Sequence, residues 1–306
     1  MQLMTRFLEG KTVAITGAGG GIGRSVALAC AAQGANVVVA DFGVAMDGSN
    51  PSSEVANAVV KEIDAAGGNA IAVAGDVSKF DTGAEIVTAA VDTWGSIDGV
   101  VCVAGNLRER MIFNMTEEEW DAVIAVHLKG HFNVYRHASA VMRKQESGGS
   151  IVGFVSAAFV GSTSQANYSA AKGGIISLTR STALALHRYG VRANCIAPSA
   201  RTRMSENVPF EIETGEPTAI APMVVYLLSD QSKDVTGQTY TVIGPRISVW
   251  NQPAELRTMF APDGAEWTPE QIAEWLPKTI KQEEHPMLAD LARREAQRLA
   301  QEQQGS

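Results

Sequence analysis

Short apolar runs alternate with stretches of helical spacing along the first two thirds of the chain. Residues 13–16 form an apolar run that ends in glycines, and residues 22–32 then carry small and apolar side chains at helical intervals up to Gly34, which predicts strand, tight turn and helix. Residues 37–41 and 70–76 read as buried strands, with a helix over 53–66 between them. Further strands are expected at 99–103, 150–155 and 192–196, and helices over about 116–145 and 168–189. Segments alternating in this way require parallel strands joined by right-handed crossovers, so the fold class is α/β. Residues 42–52, rich in Gly, Asp and Asn and containing Pro51, are longer than the usual connection and are expected to be a surface loop.

The pattern changes after about Gly244. Pro253, Pro262, Pro269 and Pro277 punctuate the chain, Trp250 and Trp267 stand among polar residues, and core strands are expected to stop. Residues 287–304 have a charged helical pattern whose only leucines, Leu288, Leu291 and Leu299, are too sparse to fold alone, so this helix is expected to dock on something. The organisation expected is one domain over 1–250 and a partly helical extension over 251–306.

A chain of 306 residues, 45% hydrophobic and 19% charged, suits one large α/β domain with an appendage. The net charge of -8 argues against nucleic acid as a partner, because phosphate binding calls for a basic patch. Cys30, Cys102 and Cys195 are few, scattered and odd in number, which points to reduced thiols and a cytoplasmic setting. The first nine residues are too short and polar for a signal peptide, no apolar run approaches bilayer length, and no metal site is expected.

Two segments carry chemistry. Thr16-Gly-Ala-Gly-Gly-Gly-Ile-Gly23 places Gly17, Gly21, Ile22 and Gly23 where a strand meets a helix. Backbone N–H groups and the positive end of a helix dipole hold a pyrophosphate there, and glycine lets the backbone approach. The spacing is G-x-x-x-G-x-G rather than the generic dinucleotide G-x-G-x-x-G, and a bare glycine-rich turn is the structural alternative. Asp41, at the end of the second strand, is placed to accept hydrogen bonds from ribose hydroxyls and would repel a 2′-phosphate, favouring NAD over NADP. A solvated strand end is its plainer reading. Asp76 is placed to meet an adenine amino group, with Val77 against the ring; alternatively, Asp76 or Ser78 caps the next helix.

Farther on, Tyr168 and Lys172 are four apart on one helical face. A phenol ordinarily titrates near 10, so a neighbouring cation is needed to favour the phenolate, and Lys172 is that cation. Lys172 can also reach the nicotinamide ribose. Ser156, at a strand end, can donate to a substrate oxygen as it becomes alkoxide-like. Without the glycine segment an ordinary exposed Tyr–Lys pair would be the better reading; with it, hydride transfer is.

From about Lys11 to Gly244 the chain resembles the short-chain dehydrogenases/reductases, a single-domain Rossmann family marked by T-G-x-x-x-G-x-G and Y-x-x-x-K. The resemblance implies a doubly wound, seven-stranded parallel sheet, Tyr168 as general acid/base, Lys172 lowering its pKa, Ser156 polarising the carbonyl, and hydride exchange with a nicotinamide. It places Pro198 and Thr202 over the nicotinamide, and Ala104 and Gly105 beside the nucleotide. It also implies a homodimer or homotetramer built on the two long helices, and a substrate lid over 209–217. Cys102-Val-Ala-Gly105 stands where the family usually has Asn-Asn-Ala-Gly. His127 takes the place of the asparagine that completes the catalytic tetrad, either keeping the proton relay with sensitivity near neutral pH or simply filling helix space. Tyr168→Phe is therefore expected to remove activity and His127→Asn to preserve most of it. Ser156 precedes Tyr168 by twelve positions, one fewer than is common, which leaves Ser162 and Ser164 as further substrate contacts, and Ser199 replaces a usual glycine.

Residues 106–111 and 165–172 are similar to the (3R)-hydroxyacyl-CoA dehydrogenase members. That likeness implies a 3-hydroxyacyl-CoA substrate, with Arg108 and Arg110 suited to a phosphate-bearing carrier or else merely solvated. Reduction of a 3-oxoacyl thioester, oxidation of a steroid or other secondary alcohol, and a nucleotide sensor without turnover are the rival readings.

Overall fold

A computed structural model describes residues 6–44, 51–201, 214–264, 266–280, 288, 291–293, 295–297 and 300. The chain divides into two compact units, Met1–Trp250 and Asn251–Ser306.

In the first unit the order is β1 (Thr12–Thr16), α1 (Gly21–Ala32), β2 (Asn36–Asp41), α2 (Glu54–Ala65), β3 (Asn69–Ala74), α3 (Phe80–Trp94), β4 (Gly99–Cys102), α4 (Glu117–Ile124), α5 (Gly130–Met142), β5 (Gly149–Phe154), α6 (Ala166–Leu186), β6 (Val191–Pro198), α7 (Ala221–Leu228), β7 (Thr239–Ile243) and β8 (Arg246–Val249). The strands form one sheet in the order β3-β2-β1-β4-β5-β6-β7-β8. The first seven of that order are parallel, and β8 alone runs antiparallel, against β7. Central strands such as Thr12–Thr16 are buried along their whole length, as strands covered on both faces must be.

Alternate strand residues feed two cores. Val13, Ile15, Val37, Val39, Val101 and Val152 pack beneath α1, α2 and α7. Ala14, Val38, Val100, Cys102 and Ile151 pack on the other face with α3 and α5. The strand order reverses between β1 and β4, so the carboxyl ends of these two strands flank the crevice where such sheets bind ligands.

One expectation is corrected, and two elements were not foreseen. The helix over 116–145 is two helices, α4 and α5, joined by a π-helical turn, Ala125–Lys129. After the last core strand, β7, an exposed edge strand follows: Gly244, with φ of 50°, and Pro245 make a two-residue turn, and β8 pairs back through Ile243↔Arg246. As an edge strand β8 exposes Ile247 and Val249, which is why its hydrophobic pattern is weak. Sequence spacing also did not identify α3, whose Ile86, Val87 and Ala90 are diluted by Thr82 and Gly83.

In the second unit α8 (Pro269–Thr279) starts at a capping box in which Thr268 and Gln271 satisfy each other's backbone N–H, with Pro269 at its first position. Trp267 meets Trp275 edge-on at 6.3 Å. Within the predicted helix over 287–304, the described residues are helical. Among the described residues, no helix is long and apolar enough to cross a membrane.

Candidate active site

The glycine turn between β1 and α1 is shaped by contacts that tolerate no side chain. A Cβ on Gly23 would lie 2.0 Å from the Gly17 carbonyl oxygen, and one on Gly17, whose φ is 67°, would lie 2.7 Å from the Ala104 nitrogen. Thr16 Oγ1 accepts from the N–H groups of Val103 (3.2 Å) and Ala104 (3.3 Å), locking the end of β1 to the end of β4. Helix α1 then starts at Gly21 with no side-chain cap and no acid in its first turn. Its first-turn N–H groups thus have no side-chain cap, and Ile22 packs back onto the core. A Cβ-free cradle at the positive end of a helix fits the pyrophosphate of a dinucleotide.

Asp41 is not a solvated strand end. Its Oδ2 accepts from the Gly19 N–H (2.8 Å) and its Oδ1 from the Gly43 N–H (2.7 Å), so the carboxylate braces the glycine turn. Each oxygen keeps a second acceptor position for a ribose hydroxyl. Asp76 Oδ1 accepts from the Ser78 N–H at 2.9 Å, while the N-cap of α3 is Lys79, so neither Asp76 nor Ser78 caps that helix. Val77 is buried against Gly130 of α5. Pro198 ends β6, and the next residue bonds to β7 through Ser199 N–H and Val242 O. Thr202 and most of the expected lid lie outside the described residues.

The second half of the site gathers at the ends of β4 and β5 and the start of α6. Ser156 follows β5, and its Oγ accepts from the Ala158 N–H (3.2 Å) at the head of the 3₁₀ helix Ala157–Val160. Tyr168 stands in the first turn of α6, near enough to Ser156 for that hydroxyl to favour the phenolate. Lys172, one turn deeper, is only 3% exposed; its Nζ donates to the Phe154 carbonyl at 2.7 Å and lies 5.2 Å from the centre of the Tyr168 ring. An ordinary exposed helix pair is excluded by that burial.

Burial rather than pairing governs both groups. It pushes Tyr168 up to about 12, against the lowering influence of the Ser156 hydroxyl. It pushes Lys172 down to about 7. The lowering of the tyrosine by the lysine, expected from their spacing, is thus not the dominant influence here, because the ammonium is turned toward Phe154.

His127 lies in the π-helical turn, 1% exposed, with its ring edge-on to Tyr168 at 5.1 Å. Its Nε2 faces the main chain of Asn106, 3.1 Å from N and 2.8 Å from O. The imidazole fills the space a Cβ on Gly105 would take, 2.4 Å from Cε1. Burial first, and then the Lys172 charge, hold its pKa well below the ordinary value, so it is neutral at physiological pH and the expected sensitivity near neutrality is corrected.

Sequence reasoning missed two buried neighbours. His131, four residues after His127 on the same helical face, meets the His127 carbonyl through Nδ1 (2.7 Å) and the Phe154 N–H through Nε2 (3.3 Å). Asn167, whose only signal is its place before Tyr168, is completely buried. Arg110 grips Glu119 through Nε and Nη2, both to Oε1 at 3.1 and 2.9 Å, and Arg108 Nη1 donates to the Leu107 carbonyl. Arg110 is therefore already paired with a carboxylate and is a poorer anion ligand than its spacing implied.

Comparisons with known proteins agree with this geometry. Residues 17–244 match the family model described as enoyl-(acyl carrier protein) reductase. Hydroxyacyl-CoA dehydrogenase ChsB1 of Mycobacterium tuberculosis is 43% identical over 284 residues, covering 88% of each chain. Peroxisomal multifunctional enzyme type 2 of Mus musculus is 39% identical over 231 residues, 75% of this chain and 31% of the mouse protein. The crystal structure of a short chain dehydrogenase from Mycobacterium avium superposes with a TM-score of 0.81 at 46% identity, covering 90% of this chain and 96% of the other. The chain belongs to the short-chain dehydrogenase/reductase family, is an oxidoreductase, and uses a nicotinamide dinucleotide.

Proposed function

We propose that this protein interconverts a 3-hydroxyacyl-CoA and the corresponding 3-oxoacyl-CoA, with NAD as the partner nucleotide. The observation that carries the reading is Lys172 buried against the Tyr168 ring, which His127 joins to Gly105 just past the end of β4, beside the Ala104 that the glycine turn abuts at the reversal point of the sheet. The name of the Mycobacterium tuberculosis relative, a hydroxyacyl-CoA dehydrogenase, supplies the acyl-CoA class.

When bound, the nicotinamide supplies a hydride acceptor or donor. The protein manages the remaining proton. Tyr168, held by burial as a neutral phenol, gives its proton to the substrate oxygen in the reducing direction and takes the hydroxyl proton in the oxidising direction once it has lost its own, while Ser156 donates to the same oxygen and limits charge build-up there. Lys172, buried and anchored on the Phe154 carbonyl beside the Tyr168 ring, supplies positive charge when protonated and releases its proton readily because burial lowers its pKa to about 7. His127, held neutral, packs edge-on behind Tyr168 and ties the Asn106 main chain to it rather than acting as a charge switch.

Gly17, Gly21, Ile22, Gly23, Ala104 and Gly105 form the pyrophosphate side of the nucleotide site in this reading. Asp41 would hold the adenosine ribose, Asp76 and Val77 would border the adenine, Pro198 and Thr202 would border the nicotinamide, and Tyr168 and Lys172 would reach its ribose. Residues 1–250 constitute the dehydrogenase domain and 251–306 an extension to it. A homodimer or homotetramer is proposed from the family resemblance, and a cytoplasmic setting from the buried free thiols of Cys30, Cys102 and Cys195.

The test is a panel of 3-hydroxyacyl-CoA, steroid and simple secondary alcohols with NAD and NADP, read as absorbance of the reduced nicotinamide. Oxidation of the acyl-CoA with kcat/KM at least about tenfold higher for NAD is expected, since Asp41 disfavours a 2′-phosphate by roughly 1.4 kcal/mol or more. Preference for NADP would overturn the role given to Asp41, and turnover of steroids alone would overturn the substrate class.

A further inference from the structure

We propose that Asn167 is a positioning residue that sets the catalytic reach of Tyr168 by pinning the start of α6 to two other elements. The inference rests on the reading of Tyr168 as the acid/base.

Asn167 is 0% exposed. Its Nδ2 donates to the carbonyl of Arg108 in the loop after β4 (3.0 Å) and to the carbonyl of Glu119 in α4 (2.9 Å). Its Oδ1 accepts from the Tyr168 N–H (2.8 Å). Only this orientation of the amide satisfies all three bonds, and both of its hydrogens are used. The N-cap of α6, Gln165, makes no side-chain cap, so Asn167 supplies the bond that a first-turn N–H otherwise lacks.

All three partners are main-chain atoms. The clamp therefore acts on the backbone paths themselves, and its effect passes to whatever side chain the first turn of α6 carries. Around it, the Arg110 N–H donates to the Ser164 carbonyl (2.8 Å), and Arg110 and Gln165 form a parallel bridge. The same loop holds His127 through the main chain of Asn106. One segment, 106–110, thus fixes the two rings that meet edge-on beside Lys172. Lys172 has its own anchor on Phe154, so loss of Asn167 shifts Tyr168 relative to a lysine that stays in place.

The experiment is a double-mutant cycle on the full-length enzyme, with Asn167→Ala, Tyr168→Phe and the double variant, followed by kcat, KM and the Kd for NAD. Asn167→Ala is expected to lower kcat by about 10²-fold, the usual consequence of roughly 1 Å of misplacement, with the Kd for NAD within about twofold of wild type. In the Tyr168→Phe background the same change is expected to cost nothing further, because the hydroxyl it positions is gone. An equal additional loss in that background, or a kcat near wild type for Asn167→Ala, overturns the inference. If Asn167→Ala does not fold, Asn167→Ser, which keeps one donor, runs the same cycle with an expected loss of about tenfold. Activity surviving Tyr168→Phe alone would instead sink the acid/base assignment, so the two failures are distinguishable.

Discussion

Tyr168→Phe is expected to lower kcat by about 10³-fold or more while leaving the Kd for NAD and the melting temperature close to wild type. The substitution removes one oxygen and keeps the ring that lies edge-on to His127 and beneath the Lys172 ammonium. Packing therefore changes little. What disappears is the group able to exchange a proton with the substrate oxygen. Ser156 then faces the substrate alone and can polarise its oxygen without accepting its proton. Steady-state rates at saturating acyl-CoA, with the Kd measured by quenching of protein fluorescence, separate these effects. His127→Asn is the contrast: a neutral hydrogen-bonding side chain replaces another, and most activity is expected to remain.

Gly23→Ala is expected to raise the Kd for NAD by about 10²-fold or more, through displacement of the pyrophosphate cradle. A methyl group there meets the Gly17 carbonyl oxygen at 2.0 Å, far inside contact distance, and its neighbours are the backbone atoms Gly17 C and Ala18 Cα rather than a flexible side chain. The turn has to open. Because Gly17 itself abuts the Ala104 backbone and Gly19 is tied to Asp41, the movement spreads to the end of β4 and to the ribose side of the site. Titration with NAD measures the loss directly; binding within a few-fold of wild type would show that the cradle is not formed by this turn.

Much of this architecture is written locally. The apolar runs of β1, β2, β4 and β5 and the four-residue step from Tyr168 to Lys172 report on a strand or a helix from within a few residues, so they are legible without tertiary information. The elements that escaped depend on partners distant in sequence. The edge strand β8 has a weak pattern because solvent takes one of its sides, and it is defined by pairing with β7. The π-helical turn at 125–129 sits inside a continuous helical pattern and opens around His127, whose ring needs the missing Cβ of Gly105.

The chemistry divides in the same way. Residue types and their spacing revealed the phenol, the amine and the carboxylate, but not their charge states. Those follow from burial, which moves Tyr168, Lys172 and His127 toward their neutral forms, and from bonds such as Lys172 to Phe154 that no spacing encodes. Asp41 was legible as an acid at a strand end; that it also braces the glycine turn needed the fold. Arg110 shows the opposite error, a suggestive cation in sequence that the fold has already paired with Glu119.

The central claim, hydride exchange at the carbon bearing the hydroxyl, is tested most directly with a 3-hydroxyacyl-CoA carrying deuterium at C3 and unlabelled NAD. Mass analysis of the nucleotide after a single turnover should find the deuterium on the reduced nicotinamide. Formation of the oxo product with the label lost to solvent, or nucleotide binding with no product at all, would contradict it.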